Sequence, residues 1–228
     1  GHVGEIRGVT MSVGVDAFGP ELPSRHAWVL DPAAFVSLLP VYFGHFADLL
    51  FATVGPPSTL TAVSENQFPT VTLTDTGEQV PYPVPTEVMM VGNLQRGGLF
   101  SIQLEGGQGH HKTGLQIVIT GTKGALCISN ARAFENEKEN AIEEMTGDAT
   151  SFTPLAIPEE YVLLRDDDLD HSVRDVAYLY NAYAQDVRNG TSTVGTFHDA
   201  VNLHRLIDQV TRSSEEASRA AQNNVRWV

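Results

Sequence analysis

The sequence predicts an α+β fold: one large, mostly antiparallel β-sheet with its helices packed on one face. Three observations predict it. An alternating apolar–polar segment opens the chain. A block of strand-like segments follows between Thr59 and Ser129, several joined by loops of only a few residues. Clear helical periodicity is confined to the two ends of that block.

Val9, Met11, Val13 and Val15 alternate with Thr10, Ser12, Gly14 and Asp16, which is the period of a strand with two chemically different faces. Further strands are expected over Thr59–Ser64, Thr70–Thr74, Val88–Gln95, Leu99–Leu104, Leu115–Thr120 and Ala125–Ser129. Arg96-Gly97-Gly98 and Gly121-Thr122-Lys123-Gly124 read as hairpin turns. Strands joined this closely are antiparallel, because a parallel crossover needs a dozen residues or more. Asp31-Pro32 reads as a cap with a first-turn proline. Pro40 then interrupts, and Tyr42–Val54 reads as a helix closed by Gly55-Pro56-Pro57. Two helices follow the strands. Val173–Arg188 carries Val173, Val176, Ala177, Tyr180, Ala184 and Val187 on one face, with a Ser172–Asp175 capping box. Phe197–Ser214 carries Phe197, Ala200, Val201, His204, Ile207 and Val210, with a Thr196–Asp199 box. Gln79–Pro85 is proline-dense and reads as a surface loop.

The 228 residues, 42% hydrophobic, suffice for one large domain spanning 1–228. Lys and Arg number 14 against 28 Asp and Glu, a net charge of -14 that excludes nucleic acid and anionic membrane surfaces as partners. No apolar run is expected to cross a membrane. The single cysteine, Cys127, lies in an apolar strand-like run and fits a reducing, cytoplasmic compartment. Asn189-Gly190-Thr191 reads as a turn. The opening Gly1-His2, without Met, reads as the lead into the second half of a longer protein.

Few residues carry chemistry. His45 and Asp48 lie three apart and so share one helical face, with Phe43, Phe46 and Leu50 largely opposite. A histidine and a carboxylate on one face suit a base with a neighbouring partner, and equally a structural histidine. Tyr42 adjoins them, and His26 and Trp28 lie in the preceding loop. His110-His111 after Gly106-Gly107-Gln108-Gly109 read as a hairpin loop, since a strand rather than a helix follows. Asp166-Asp167-Asp168 read as a solvated acidic run before a helix. His204 reads as a core histidine, and no cluster has metal-ligand spacing.

Taken in order, these segments resemble the C-terminal half of the glucose–fructose oxidoreductase / inositol dehydrogenase / MocA family. The residues that carry the resemblance are Gly4-Glu5-Ile6-Arg7-Gly8, Trp28, Gly44-His45-x-x-Asp48-Leu49-Leu50 and Ile119-Thr120-Gly121-Thr122-Lys123-Gly124-Ala125-Leu126, then Phe197 to Asp208 and Ser213-Ser214. Tyr42-Phe43-Gly44-His45 and Leu203-His204-Arg205 are closest to its galactose-regulon-repressor-like branch. The resemblance implies a dihydrodipicolinate-reductase-like substrate and oligomerisation domain. The Rossmann half that binds NAD or NADP then lies outside this chain, which binds no cofactor alone. His45 becomes the residue that handles the substrate hydroxyl proton, and Tyr42, Asp48, His26 and Trp28 become contacts to a sugar-like or polyol substrate. Val41 stands where the family has an aspartate, four residues before the histidine, and cannot accept a hydrogen bond. That departure opens the alternative of a non-catalytic, cofactor- and ligand-sensing regulator. A sheet covered on one face only also implies a homodimer through the other face.

Overall fold

The computed structural model describes all residues except 108–113, 135–139, 163, 165–168 and 222–228, with the backbone alone at 171, 172, 220 and 221. The strands are β1 (Ile6–Gly14), β2 (Glu21–Leu22), β3 (Pro57–Glu65), β4 (Thr70–Leu73), β5 (Gln79–Pro81), β6 (Glu87–Leu94), β7 (Leu99–Glu105), β8 (Leu115–Gly121), β9 (Gly124–Asn130), β10 (Ala141–Thr146) and β11 (Thr153–Pro154). Eight of them form one sheet in the order β11-β10-β9-β8-β1-β7-β6-β3. The opening strand is inserted at its centre, antiparallel to β8 and parallel to β7. The predicted hairpins hold: β6 pairs with β7, and β8 with β9, both antiparallel. Gly97 and Gly98 take φ of 92° and 91° in the first of these turns, a region side chains disfavour.

The alternation in β1 places Val9, Met11 and Val13 on the buried face, where Val88, Met90, Phe100, Ile102, Leu104, Ile117 and Ile119 join them. Helices α1 (Gly44–Val54) and α3 (Phe197–Ala221) close that face, through Phe46, Leu50 and Val54 of the first and Leu206, Ile207 and Val210 of the second. Each such side chain contributes about 1.5–3 kcal/mol on burial. Asp31 accepts from the Ala33 N–H at 2.9 Å, as its capping role predicts. Pro40 sits in a wide, π-type turn (Leu38–Phe43) that leads into α1, two residues later than the pattern suggests. Thr196 and Asp199 form the predicted reciprocal box at the start of α3, with N–H to side-chain distances of 2.8 and 3.3 Å. Helix α2 (His171–Asn189) starts two residues earlier than Ser172 as a cap requires.

Several expectations are corrected. Residues 70–73 do not join the large sheet; β4 forms a separate three-stranded sheet in the order β2-β4-β5. The proline-dense stretch is not a plain surface loop, since it contains β5 and buries Tyr82 and Val84 in a second small core. Strand β10 escaped notice because Glu143 and Glu144 interrupt its apolar pattern. The apolar stripe of α2 (Val173, Val176, Tyr180, Val187) is exposed, as are Phe197 and Val201 at the start of α3. His204 is exposed too, stacked on Phe35 at 5.3 Å, and is no core histidine. The helical stretch Pro32–Val54, 23 residues with mean hydropathy 1.5, is long and apolar enough by composition to cross a membrane, contrary to the sequence reading. In this fold its last part lies against the sheet core. His110, His111 and Asp166–Asp168 lie outside the described residues.

Candidate functional site

Helical geometry sorts the residues of α1 into two stripes. Phe43 at its entry, Phe46, Leu50 and Val54 are buried, while His45, Asp48 and Leu49 are exposed. His45 and Asp48 share a hollow of about 270 Å³ with Pro40, Val41, Gly44 and Leu203. No hydrogen bond or ion pair joins His45 to Asp48 among the described residues; they stand side by side, as i,i+3 neighbours do. The other flank is aromatic. Phe134, which no sequence pattern marked, meets Tyr42 at 5.2 Å, His45 at 5.8 Å and Phe46 at 4.9 Å between ring centroids. Asn130 sets its position by accepting from the Ala133 N–H at 2.8 Å, one residue before the ring.

Tyr42 is wedged edge-on between Phe134 and Phe18, 5.0 Å from the latter, and burial pushes its phenol up from the ordinary range. Its ring therefore supports the helix entry and does not line the His45 hollow.

His26 and Trp28 do not line that hollow. They line a second, larger cavity of about 440 Å³ between the end of β1, the Ser24–Leu30 turn and the small sheet. Val41 borders both spaces, so the predicted site residues divide into two groups that meet at this one apolar side chain. The turn carrying His26 and Trp28 is tied to the small sheet through Asp75. The Ser24 N–H donates to its carboxylate at 2.8 Å and the Ser24 hydroxyl donates to its other oxygen. These bonds hold the Asp75 carboxyl below its ordinary value. Sequence reasoning missed Asp75 and Tyr82, because their partners lie 51 residues away or across a sheet whose strands are two to four residues long.

Among the described residues no group of three or more His, Cys, Asp or Glu is placed to hold a metal ion. Among the described residues no strand–glycine turn–helix unit stands ready for the pyrophosphate of a nicotinamide dinucleotide. Gly106-Gly107 instead makes a tight backbone approach to Gly19, where an added Cβ on Gly107 would lie 2.6 Å from the Gly19 Cα. Cys127 is buried, and burial together with Glu143 pushes its thiol up, away from reactivity.

An eight-stranded, mostly antiparallel sheet with one face covered by a histidine-bearing helix and the last helix has the C-terminal domain fold of the glucose–fructose oxidoreductase / inositol dehydrogenase / MocA type. The chain belongs to the Gal80p C-terminal-domain family, whose model matches residues 1–130. It is 25% identical over 264 aligned positions to the galactose/lactose metabolism regulatory protein GAL80 of Saccharomyces cerevisiae, covering 99% of this chain and 60% of that protein. The structure of the transcriptional regulator Gal80p from Kluyveromyces lactis is similar at a TM-score of 0.74 and 27% identity, over 94% of this chain and 53% of that one. A levoglucosan dehydrogenase solved with NADH and L-sorbose shares the fold at a TM-score of 0.76 and 18% identity, over 95% of this chain and 58% of that one. The chain thus spans little more than half the length of these relatives.

Proposed function

We propose that this chain is the substrate-facing half of a longer, cytoplasmic NAD- or NADP-dependent oxidoreductase-type protein whose Rossmann domain lies outside it. The observation that carries this reading is His45, exposed in a hollow with Asp48. The hydride chemistry belongs to the cofactor and to the other half. This chain's part is to hold a hydroxyl of a sugar-like or polyol ligand against the imidazole, with Asp48 beside it and Tyr42 bracing the helix. The levoglucosan dehydrogenase with NADH and L-sorbose supports this ligand class by likeness of fold.

A second reading is favoured by Val41, which places an apolar side chain where a second acid–base partner would stand, and by the Gal80p family match. In that reading the same hollow senses a ligand and the protein acts as a regulator. One substitution separates the two. In the full-length protein, His45→Asn abolishes turnover with polyol or sugar substrates while the thermal midpoint stays within a few degrees. Turnover that survives the change would remove His45 from catalysis. A wild-type protein that binds NADH but turns over no sugar or polyol would favour the regulator. The isolated chain is expected to give no saturable heat on titration with NADH.

A further inference from the structure

A histidine that moves a proton works only while its ring is oriented, and the usual orienting group is a hydrogen-bond partner. His45 has none. Among the described residues its imidazole makes no hydrogen bond and no ion pair. Val41 is apolar, and Asp48 shares the hollow without bonding the ring. The contact that His45 does make is with an aromatic ring. Its centroid lies 5.8 Å from that of Phe134, with the ring planes at 87°, inside the spacing and edge-to-face geometry that aromatic pairs prefer. An α-helix advances about 100° per residue. Seen from His45, Gly44 and Asp48 of the hollow therefore lie to one side of α1 and Phe46 to the other. Phe134 packs on that second side, at 4.9 Å from Phe46 and 5.2 Å from Tyr42, and does not line the hollow. The imidazole stands between the two, with the hollow before it and the Phe134 ring behind it.

Phe134 is itself held by an uncommon turn. Its N–H donates to the Arg132 carbonyl at 2.9 Å, across Ala133 at φ 69°. A three-residue turn with positive φ at its centre is the rare, strained form, and alanine lacks the freedom of glycine there. Asn130, buried at the end of β9, clamps this turn. Its side-chain carbonyl accepts the Ala133 N–H at 2.8 Å, and its amide donates to the Ala133 carbonyl at 3.3 Å and to the Asn140 side chain at 2.8 Å. Strain of this kind persists only where the surroundings over-determine it, and it clusters at functional sites. We infer that Phe134 is a positioning residue for His45: its ring, locked by the Asn130–Ala133 turn, fixes the imidazole rotamer that faces the hollow, in place of the hydrogen-bond partner that Val41 cannot be. This role rests on the reading of His45 as the group that meets the ligand hydroxyl. An aromatic pair of this geometry biases a rotamer by about two- to tenfold, which sets the size of the effect.

Two readouts on the full-length protein test it. The first needs no substrate. It is the χ1 rotamer of His45, read from three-bond couplings in protein labelled at histidine, with the resonance assigned by its loss in His45→Asn. The wild type and Phe134→Tyr, which keeps the ring, are expected to show one rotamer. Phe134→Leu, which keeps an apolar side chain without the ring, is expected to show an average of several. The second readout is turnover. Phe134→Leu should lower kcat about three- to tenfold with KM held within about twofold, and Phe134→Tyr should restore it. An averaged rotamer in the wild type overturns the inference, even where a variant folds poorly. So does a single rotamer in Phe134→Leu, or a loss of kcat that Phe134→Tyr does not restore. A wild type that turns over no sugar or polyol sinks the oxidoreductase reading alone, because the rotamer still decides whether Phe134 holds the imidazole.

Discussion

At the scale of single residues, the sequence located chemistry better than it located partners. His45 and Asp48 share the exposed stripe of α1 because a 3.6-residue period puts them there. That Phe134, 89 positions further on, would form the other wall of the site followed from no local pattern. Asp186 is a clearer case of partners that only the fold supplies. It accepts from the hydroxyl of Thr191 at 2.6 Å and that of Thr193 at 2.9 Å, and from the N–H groups of Thr193 and Val194 at 2.7 and 3.0 Å. The Thr191 hydroxyl first, and then the other donors, pull its pKa from the ordinary 3.8 to about 2. A depressed carboxylate contributes stability above its unfolded pKa and loses it as pH falls through the folded value. Unfolding followed from about pH 5 to pH 2 should therefore show a loss of stability that Asp186→Asn largely removes. Identical pH profiles for the two proteins would show that this carboxylate does not hold the α2–α3 connection. The turn it braces includes Gly190 at φ 66°, which bears out the reading of Asn189-Gly190-Thr191 as a turn.

At the scale of elements, α3 does more than bury an apolar stripe. Strand β3 is an edge of the large sheet, and its outward backbone groups have no neighbouring strand. Two consecutive serines of α3 supply the missing partners. Ser213 Oγ accepts from the Ala62 N–H at 2.8 Å and donates to the Ala62 carbonyl at 3.4 Å. Ser214 Oγ accepts from the Ser64 N–H at 2.8 Å and also bonds the Ser64 hydroxyl at 2.8 Å. Ser214 is buried, so Ser214→Ala leaves the Ser64 N–H without water to replace it. A loss of about 1–3 kcal/mol on urea unfolding is expected. A Ser64→Ala, Ser214→Ala double variant should still lose stability, because the backbone donor remains. A Ser214→Ala protein as stable as the wild type would show that the helix merely rests on the edge. In sequence, Ser213-Ser214 stood out only through family resemblance; periodicity gave no reason to place a polar pair against a strand.

At the scale of the whole molecule, the large sheet has one face sealed and one open. Cross-strand register brings Thr61, Val91, Ser101, Thr10 and Val118 into a single row over that open face, continued by the buried Cys127 and by Glu143. The row is uncharged until its far end at Glu143, and Val91, Met89 and Val63 are substantially exposed within this part of the sheet. Glu65, Glu87 and Glu105 border this patch on the same face, and its exposed Val63, Met89 and Val91 are poorly suited to solvent. We propose that two copies pair through it, about a two-fold axis that sets each copy's patch against itself. Sedimentation at concentrations on the order of tens of micromolar should give a dimer. Val91→Lys should shift it to monomer with the secondary structure intact, since each interface would gain two like charges without partners. A monomeric wild type at those concentrations would refute the pairing.

The chain's own sequence determined β1, β3, β4 and β6 to β9, its first helix, the capped start of its last helix and the acidic surface, because each depends on neighbours within a few residues. Alternation specified which face of β1 is buried, and spacing specified that His45 and Phe46 point apart. Tertiary structure alone decided the rest. It inserted β1 between β7 and β8, moved β4 into a second sheet, and left the stripe of α2 exposed. It also split the predicted site at Val41 and sealed the Tyr82 hydroxyl beside a cavity. The physical reason is the same throughout: periodicity reports that a face is apolar or polar, whereas what covers that face depends on contacts between residues far apart in the chain.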